Sequence, residues 1–175
     1  MGVPCLQLVD FDIVETSNLA SQGYSEEDLG KLKVEATAAQ CRRINSCIEI
    51  VSVAERFRRS MEIGNTVFDC VDKIDVRRLI WEAIGNAVPF YVDGRMSAET
   101  LRVVTAYDSA SRRHYPTTLF RTEEAFVGTC TAKTTIYCAN IAAGLMVAQF
   151  TKYLRQLPVE ADIQLNLLAS ELSVG

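Results

Sequence analysis

Apolar residues fall into short runs separated by polar, turn-rich stretches, with one long exception near the C-terminal end. The run CLQLV (5–9) reads as a short, fully buried strand that stops at Asp10 and Asp12. Residues 15–29 are polar and read as loop and helix start, with Ser25 and Asp28 spaced as a capping arrangement. From Leu29 to Ile44 the apolar positions Leu29, Val34, Ala36, Ala38, Ala39, Cys41 and Ile44 recur at roughly helical spacing. Arg42 and Arg43 suit the negative end of that helix. IEIVSV (48–53) reads as a second strand, and the charged stretch 54–65, with Arg56, Arg58 and Arg59, as a solvated face. TVFDCV (66–71) predicts a third buried strand, again closing on an acid, Asp72. Residues 74–87 predict a helix holding the single Trp, Trp81, and 89–92 a fourth strand.

After Asp93-Gly94 the character changes. LRVVTAYD (101–108) alternates and predicts an antiparallel strand, while 109–130 read as irregular and polar, with His114, Pro116 and Cys130. Residues 131–157 form a long apolar-rich helix whose small residues, Ala142, Ala143 and Gly144, would let it pack closely on a sheet. Residues 161–170 predict a last antiparallel strand. Alternating strands and helices mark an α/β fold of doubly wound type, with a mostly parallel sheet and antiparallel strands at its C-terminal side. No repeat, low-complexity tract or linker is visible, so residues 1–175 read as a single domain.

Composition narrows the partners. A formal charge of −4 and a pI near 5.1 argue against a nucleic-acid groove, which needs a basic face. No run approaches the ~18 uninterrupted apolar residues of a membrane span. Asp10 and Asp12 interrupt the only apolar N-terminal stretch, so no secretory leader is legible. The 6 cysteines include no C-x-x-C pair, which leaves buried reduced thiols and a cytoplasmic setting as the plain reading.

The chemistry concentrates at Asp10. A carboxylate at the C-terminal end of a strand can accept from ribose hydroxyls at the ligand edge of an open α/β sheet, although a strand-ending Asp also caps turns. The surrounding wording is more specific. Asp10, Asp12, Val14, Ser17, Asn18, Leu19, Gln22, Gly30 and Lys33 fill the pattern D-x-D-x-V-x-x-S-N-L-x-R-Q followed by G-x-x-K, so the stretch resembles the ThiF/MoeB/HesA family of adenylating enzymes, relatives of the ubiquitin-activating enzymes. Ser21 stands at the arginine position and cannot supply arginine's charged fork. The resemblance implies a Rossmann-like fold and the use of ATP and Mg²⁺. It implies that Asp10 and Asp12 lie at the nucleotide, and that Asn18 and Lys33 touch its phosphates. Lys31 lies two residues from Lys33, which leaves that choice of register open, and a surface helix lysine is the plain alternative.

VFDCVDKIDVR (67–77) resembles the family's D-C-T-D-N-x-x-x-R element. Asp72 is thereby implied to take part in catalysis by holding Mg²⁺, with helix N-capping as its plain alternative; Lys73 replaces the asparagine, and Arg77 keeps its spacing. Cys130, just before the long helix, resembles the reactive cysteine of some members, and a helix N-terminus there would favour a thiolate. Cys138 reads as core, and His114 as an exposed loop residue.

The resemblance is dense over 6–92 and loose over 120–157. No glycine-rich phosphate loop stands among the residues before Asp10, and Met1-Gly2-Val3 match the end of the family's first helix. The first βα unit is therefore expected to be missing, through a misplaced start or true shortening, and the chain alone is expected to bind ATP weakly or not at all. The implied function is ATP-dependent adenylation of the C-terminal carboxylate of a ubiquitin-like or sulfur-carrier protein by a homodimer. The alternative is a non-catalytic relative that serves as a partner-binding or dimerisation subunit.

Overall fold

The parallel βαβ pattern of the first sixty residues becomes a self-contained layer. In the computed structural model, which describes residues 3–120 and 135–175, the chain forms two compact units, Met1–Ile63 and Gly64–Gly175. In the first, β1 (Cys5–Val9) pairs in parallel with β2 (Glu49–Val53), Cys5 opposite Glu49 and Val9 opposite Val53. The short α1 (Thr16–Leu19) and the longer α2 (Lys33–Ile44) lie between them in the chain, and α2 packs on both strands. Val34, Ala36 and Ala38 of α2 are buried, as is Val14.

Two expectations are corrected here. β1 is at most half-buried along its length rather than fully buried, because this sheet has two strands and α2 covers it. The helix begins at Lys33 rather than Leu29. Residues 29–32 instead form a turn in which Gly30 has φ +80° and Leu32 bridges Ile13. A positive φ strains any residue with a Cβ, which is why a glycine stands there.

In the second unit the sheet order is β3-β4-β5-β6-β7. β3 (Thr66–Asp69) runs parallel to β4 (Phe90–Ser97), with α3 (Ile74–Ile84) between them in the chain. β5 (Thr100–Ala106), β6 (Asp162–Asn166) and β7 (Glu171–Val174) continue the sheet antiparallel. The molecule is thus α/β, with parallel pairs first and antiparallel strands towards its C-terminal end.

Alternation along β4 divides this unit into two layers. Phe90 and Val92 join Leu101, Val103 and Ile163 under α5 (Ile136–Leu154), which contributes Cys138, Ala142 and Met146 to this core. Cys138 is core, as the sequence suggested. The close approach is made by the sheet rather than by Gly144. A Cβ on Gly94 would stand 2.5 Å from Met146 Sδ, whereas Gly144 has open space around it.

Four further details differ from the sequence reading. β3 ends at Asp69, not Asp72, and exposes Phe68. β4 runs on through Asp93-Gly94 to Ser97, because Asp93 is ion-paired rather than left to solvent. Residues 109–118 are ordered as α4 (Ser109–His114) followed by a 3-10 turn, with Asp108 capping α4 by accepting from Ser111 N–H. Residues 161–170 are not one strand but β6 and the turn into β7.

Candidate functional site

The segment 10–33 is tied to itself at several points. Asp10 N–H donates to Val53 C=O at 3.2 Å, which continues the β1–β2 pairing by one step. Asp10 Oδ1 accepts from Asp12 N–H at 2.8 Å, an Asx turn that bends the chain sharply after the strand. Asp12 in turn accepts twice from Lys33, through its carbonyl from the backbone N–H (2.9 Å) and through Oδ2 from Nζ (3.3 Å). Val14 N–H donates to Lys31 C=O at 2.8 Å and Gly30 N–H to Val14 C=O at 2.9 Å. The two halves of the sequence signature are therefore one antiparallel crossing, and Val14 is its buried anchor, 1% exposed.

Asn18 belongs to the same crossing by way of α1. Its Oδ1 accepts from Glu15 N–H at 2.9 Å in a reciprocal capping box, which leaves the amide NH₂ as its remaining donor. Ser21 donates its hydroxyl to Ser17 C=O at 3.3 Å. Lys31 pairs with Asp28 at 3.2 Å, while Lys33 points at Asp12, so the two lysines have separate partners. Hydrogen bonds from the backbone and hydroxyl of Ser25 hold Asp28 down at about 2, and the capping arrangement read from the sequence is present.

Asp72 lies in the second unit, in the turn between β3 and α3, with its side chain exposed. It is not the N-cap: that position is Lys73, which makes no side-chain capping bond. Cys130 lies outside the described residues. His114 is not a loop residue but the last residue of α4, with Nε2 2.8 Å from Asp162 Oδ2. Burial pushes Asp162 up, but hydrogen bonds from Arg102 and His114 outweigh this and hold it below the usual carboxylate range.

Sequence reasoning missed a buried polar layer under α3. Arg77 pairs with Asp93 and lies 3.9 Å from Asp69. It also donates to Val71 C=O and, at 3.0 Å, to Gly94 C=O. Tyr91 donates to the other oxygen of Asp69, and Tyr115 to Asp93 at 2.7 Å. Arg95 reaches Asp93 and Thr118. Burial and the neighbouring Asp69 push the Tyr91 phenol well up, so it remains a donor. Burial pulls the Arg77 guanidinium down and Asp69 pulls it back up, and it stays a cation. Arg77 and Trp81, four apart on one helical face, were the signal for this layer.

The mouse (Mus musculus) protein "Adenylyltransferase and sulfurtransferase MOCS3" is 41% identical over 88 residues, covering 47% of this chain and 19% of that protein. The "Molybdopterin-synthase adenylyltransferase" of Salmonella typhimurium is 39% identical over 82 residues, covering 43% of this chain and 33% of that one. The chain thus spans a third or less of the length of these relatives. Among solved structures, E. coli MccB superimposes with TM-score 0.77 at 16% identity, over 99% of this chain and 55% of that one. PaaA does so with TM-score 0.73 at 16% identity, over 98% and 64%. These two likenesses are of fold alone, a Rossmann-type α/β fold. The profile of the ThiF family matches residues 1–171, and with its signature folded as one crossing around Val14, the chain belongs to the ThiF family.

Proposed function

We propose that this chain carries nucleotide-facing residues of an adenylyltransferase. Its reaction is the ATP-dependent adenylation of the C-terminal carboxylate of a ubiquitin-like or sulfur-carrier protein. The observation that carries the reading is the crossing of 10–14 with 30–33, which brings the Asp10 carboxylate and the Lys33 ammonium onto the two ends of Asp12. Asp10 Oδ2 accepts from the ribose hydroxyls. Lys33, already paired with Asp12, and the free amide NH₂ of Asn18 donate to the phosphates. Fixed donors of this kind stabilise charge that grows on phosphate oxygens during attack.

ATP supplies AMP as the leaving group that a carboxylate lacks. Among the described residues no group of three or more His, Cys, Asp or Glu could hold a metal ion by itself. One exposed carboxylate, Asp72, fits Mg²⁺, which commonly takes one or two protein carboxylates and completes its shell with water and phosphate. Cys130 is proposed only as the thiol that would receive the activated carrier. The protein is proposed to work as a cytoplasmic homodimer. Among the described residues no helix is long and apolar enough to cross a membrane.

The test is exchange of labelled pyrophosphate into ATP by the full chain in the presence of its carrier protein. Lys33→Ala removes one fixed phosphate donor and should slow exchange by roughly 100-fold, as loss of one such donor does elsewhere. Asp10→Ala should weaken ATP binding. Exchange unchanged in both variants would refute the assignment. The second reading, a non-catalytic partner-binding or dimerisation subunit, is favoured by one observation: Ser21 is turned back onto Ser17 and offers no cation. Tight carrier binding with no exchange at all would select it.

A further inference from the structure

The turn that presents Asp72 is gripped from inside the second unit. Val71 N–H donates to Asp69 Oδ1 at 3.1 Å, and Val71 C=O accepts from Arg77 Nη2. Both backbone polar groups of the residue before Asp72 therefore end on buried side chains, with Asp69 at 0% and Arg77 at 6% exposure. Neither grip is loose. Tyr91 holds the other oxygen of Asp69, while Arg77 is fixed by Asp93 and by Gly94 C=O. Asp93 is held in turn by Arg95 and Tyr115.

An ion pair that served packing alone would need Arg77 only to neutralise Asp69 and Asp93. Here the guanidinium also reaches a carbonyl of the 70–73 turn and one of β4, which joins the turn to the buried strand beside β3. With Val71 held through both its N–H and its C=O, the peptide groups on either side of it are fixed, and so is the direction in which the next residue, Asp72, leaves the backbone.

We propose that Arg77 and Asp69 are positioning residues: they hold Asp72 so that its carboxylate meets the magnesium of a bound nucleotide. The inference rests on the reading of Asp72 as the magnesium carboxylate. Lysine at 77 would keep the charge that Asp69 and Asp93 require, but as a point donor it could not span Asp93, Val71 C=O and Gly94 C=O together. Asparagine at 69 would keep an acceptor for Val71 N–H, whereas alanine would not.

The experiment has two readouts on the full chain. Hydrogen exchange without nucleotide follows amides 70–73, and calorimetry compares the affinity for ATP with magnesium and with EDTA. Arg77→Lys and Asp69→Ala should speed exchange in the turn. Both should lower the magnesium-dependent gain in affinity by roughly 10–100-fold, the usual effect of disturbing a metal ligand's support. The affinity in EDTA should not change, and Asp69→Asn should retain the magnesium gain. Unchanged exchange in Arg77→Lys overturns the grip. Faster exchange with the full magnesium gain overturns the positioning role. If Arg77→Lys fails to fold, the contrast between Asp69→Asn and Asp69→Ala decides alone, and equal behaviour of that pair overturns the proposal. Asp72→Ala separates the two levels: a full magnesium gain in that variant overturns the assignment of Asp72 itself, and the proposal falls with it.

Discussion

Replacing Arg77 by methionine is the sharpest stability test of the buried polar layer. Methionine keeps the length and much of the volume of the side chain, so the change is mainly electrostatic. The Asp69 and Asp93 side chains are fully buried, and Arg77 is their shared cation. Removing one partner of a buried pair costs about 3–5 kcal/mol, because the remaining charge is left without compensation. Two features pull the value towards the lower end, near ~3 kcal/mol within that range. Arg95 still pairs with Asp93 at 2.7 Å, and Tyr91 and Tyr115 still donate to the carboxylates. Trp81 is the single Trp of the sequence and lies 4.2 Å from the Tyr115 ring and 5.3 Å from the Tyr91 ring. Its fluorescence during urea unfolding therefore reports on this layer. Asp93→Asn added to Arg77→Met should recover roughly 1–2 kcal/mol, as expected for groups in direct contact. A loss below about 1 kcal/mol for Arg77→Met, or no recovery in the double variant, would show that the layer is not held by charge pairing.

Three more outcomes are expected. Phe90, fully buried with ring centroids 5.2 Å from Phe150 and 4.9 Å from Tyr153, should cost about 3–5 kcal/mol as Phe90→Ala in the same urea assay. Gly30→Ala should destabilise the first unit by roughly 1–2 kcal/mol through its positive φ alone, since no atom lies within 4 Å of the new Cβ; thermal unfolding of the pure variant checks this. Asp162 is held below the usual carboxylate range, so its pairing with Arg102 and His114 stabilises the fold fully above the unfolded value of about 3.9 and is lost as pH falls below it. Unfolding measured from about pH 6 downwards should show the advantage of wild type over Asp162→Asn shrinking below about pH 4, and a constant difference would count against the pairing.

Local chemistry made part of this protein legible in the sequence. The strand at 5–9, the capping box at Ser25 and Asp28, the antiparallel strand after residue 100 and the long apolar helix each follow from spacing that a few neighbouring residues set by themselves. The signature residues 10–33 were legible because their order is specific. The structure adds why several of them stand where they do: Val14 fills a core, Gly30 takes a positive φ, and Asp12 meets Lys33.

What the tertiary structure alone decided involves partners distant in the chain. Asp93-Gly94 looked like the end of a strand, since an acid and a glycine usually stop one. The strand continues because Arg77, from a helix, and Tyr115, from a later turn, supply the charge and donor that let Asp93 be buried. β3 stops at Asp69 rather than Asp72 because Asp69 Oδ1 accepts from Val71 N–H and turns the chain. The small residue that admits α5 is Gly94 on the sheet, not the small run within the helix, because the close approach lies on the face that carries Met146. A sequence states which residues can carry charge or yield space. Which of them meet depends on contacts between residues far apart along the chain, and these exist only once the layers have packed.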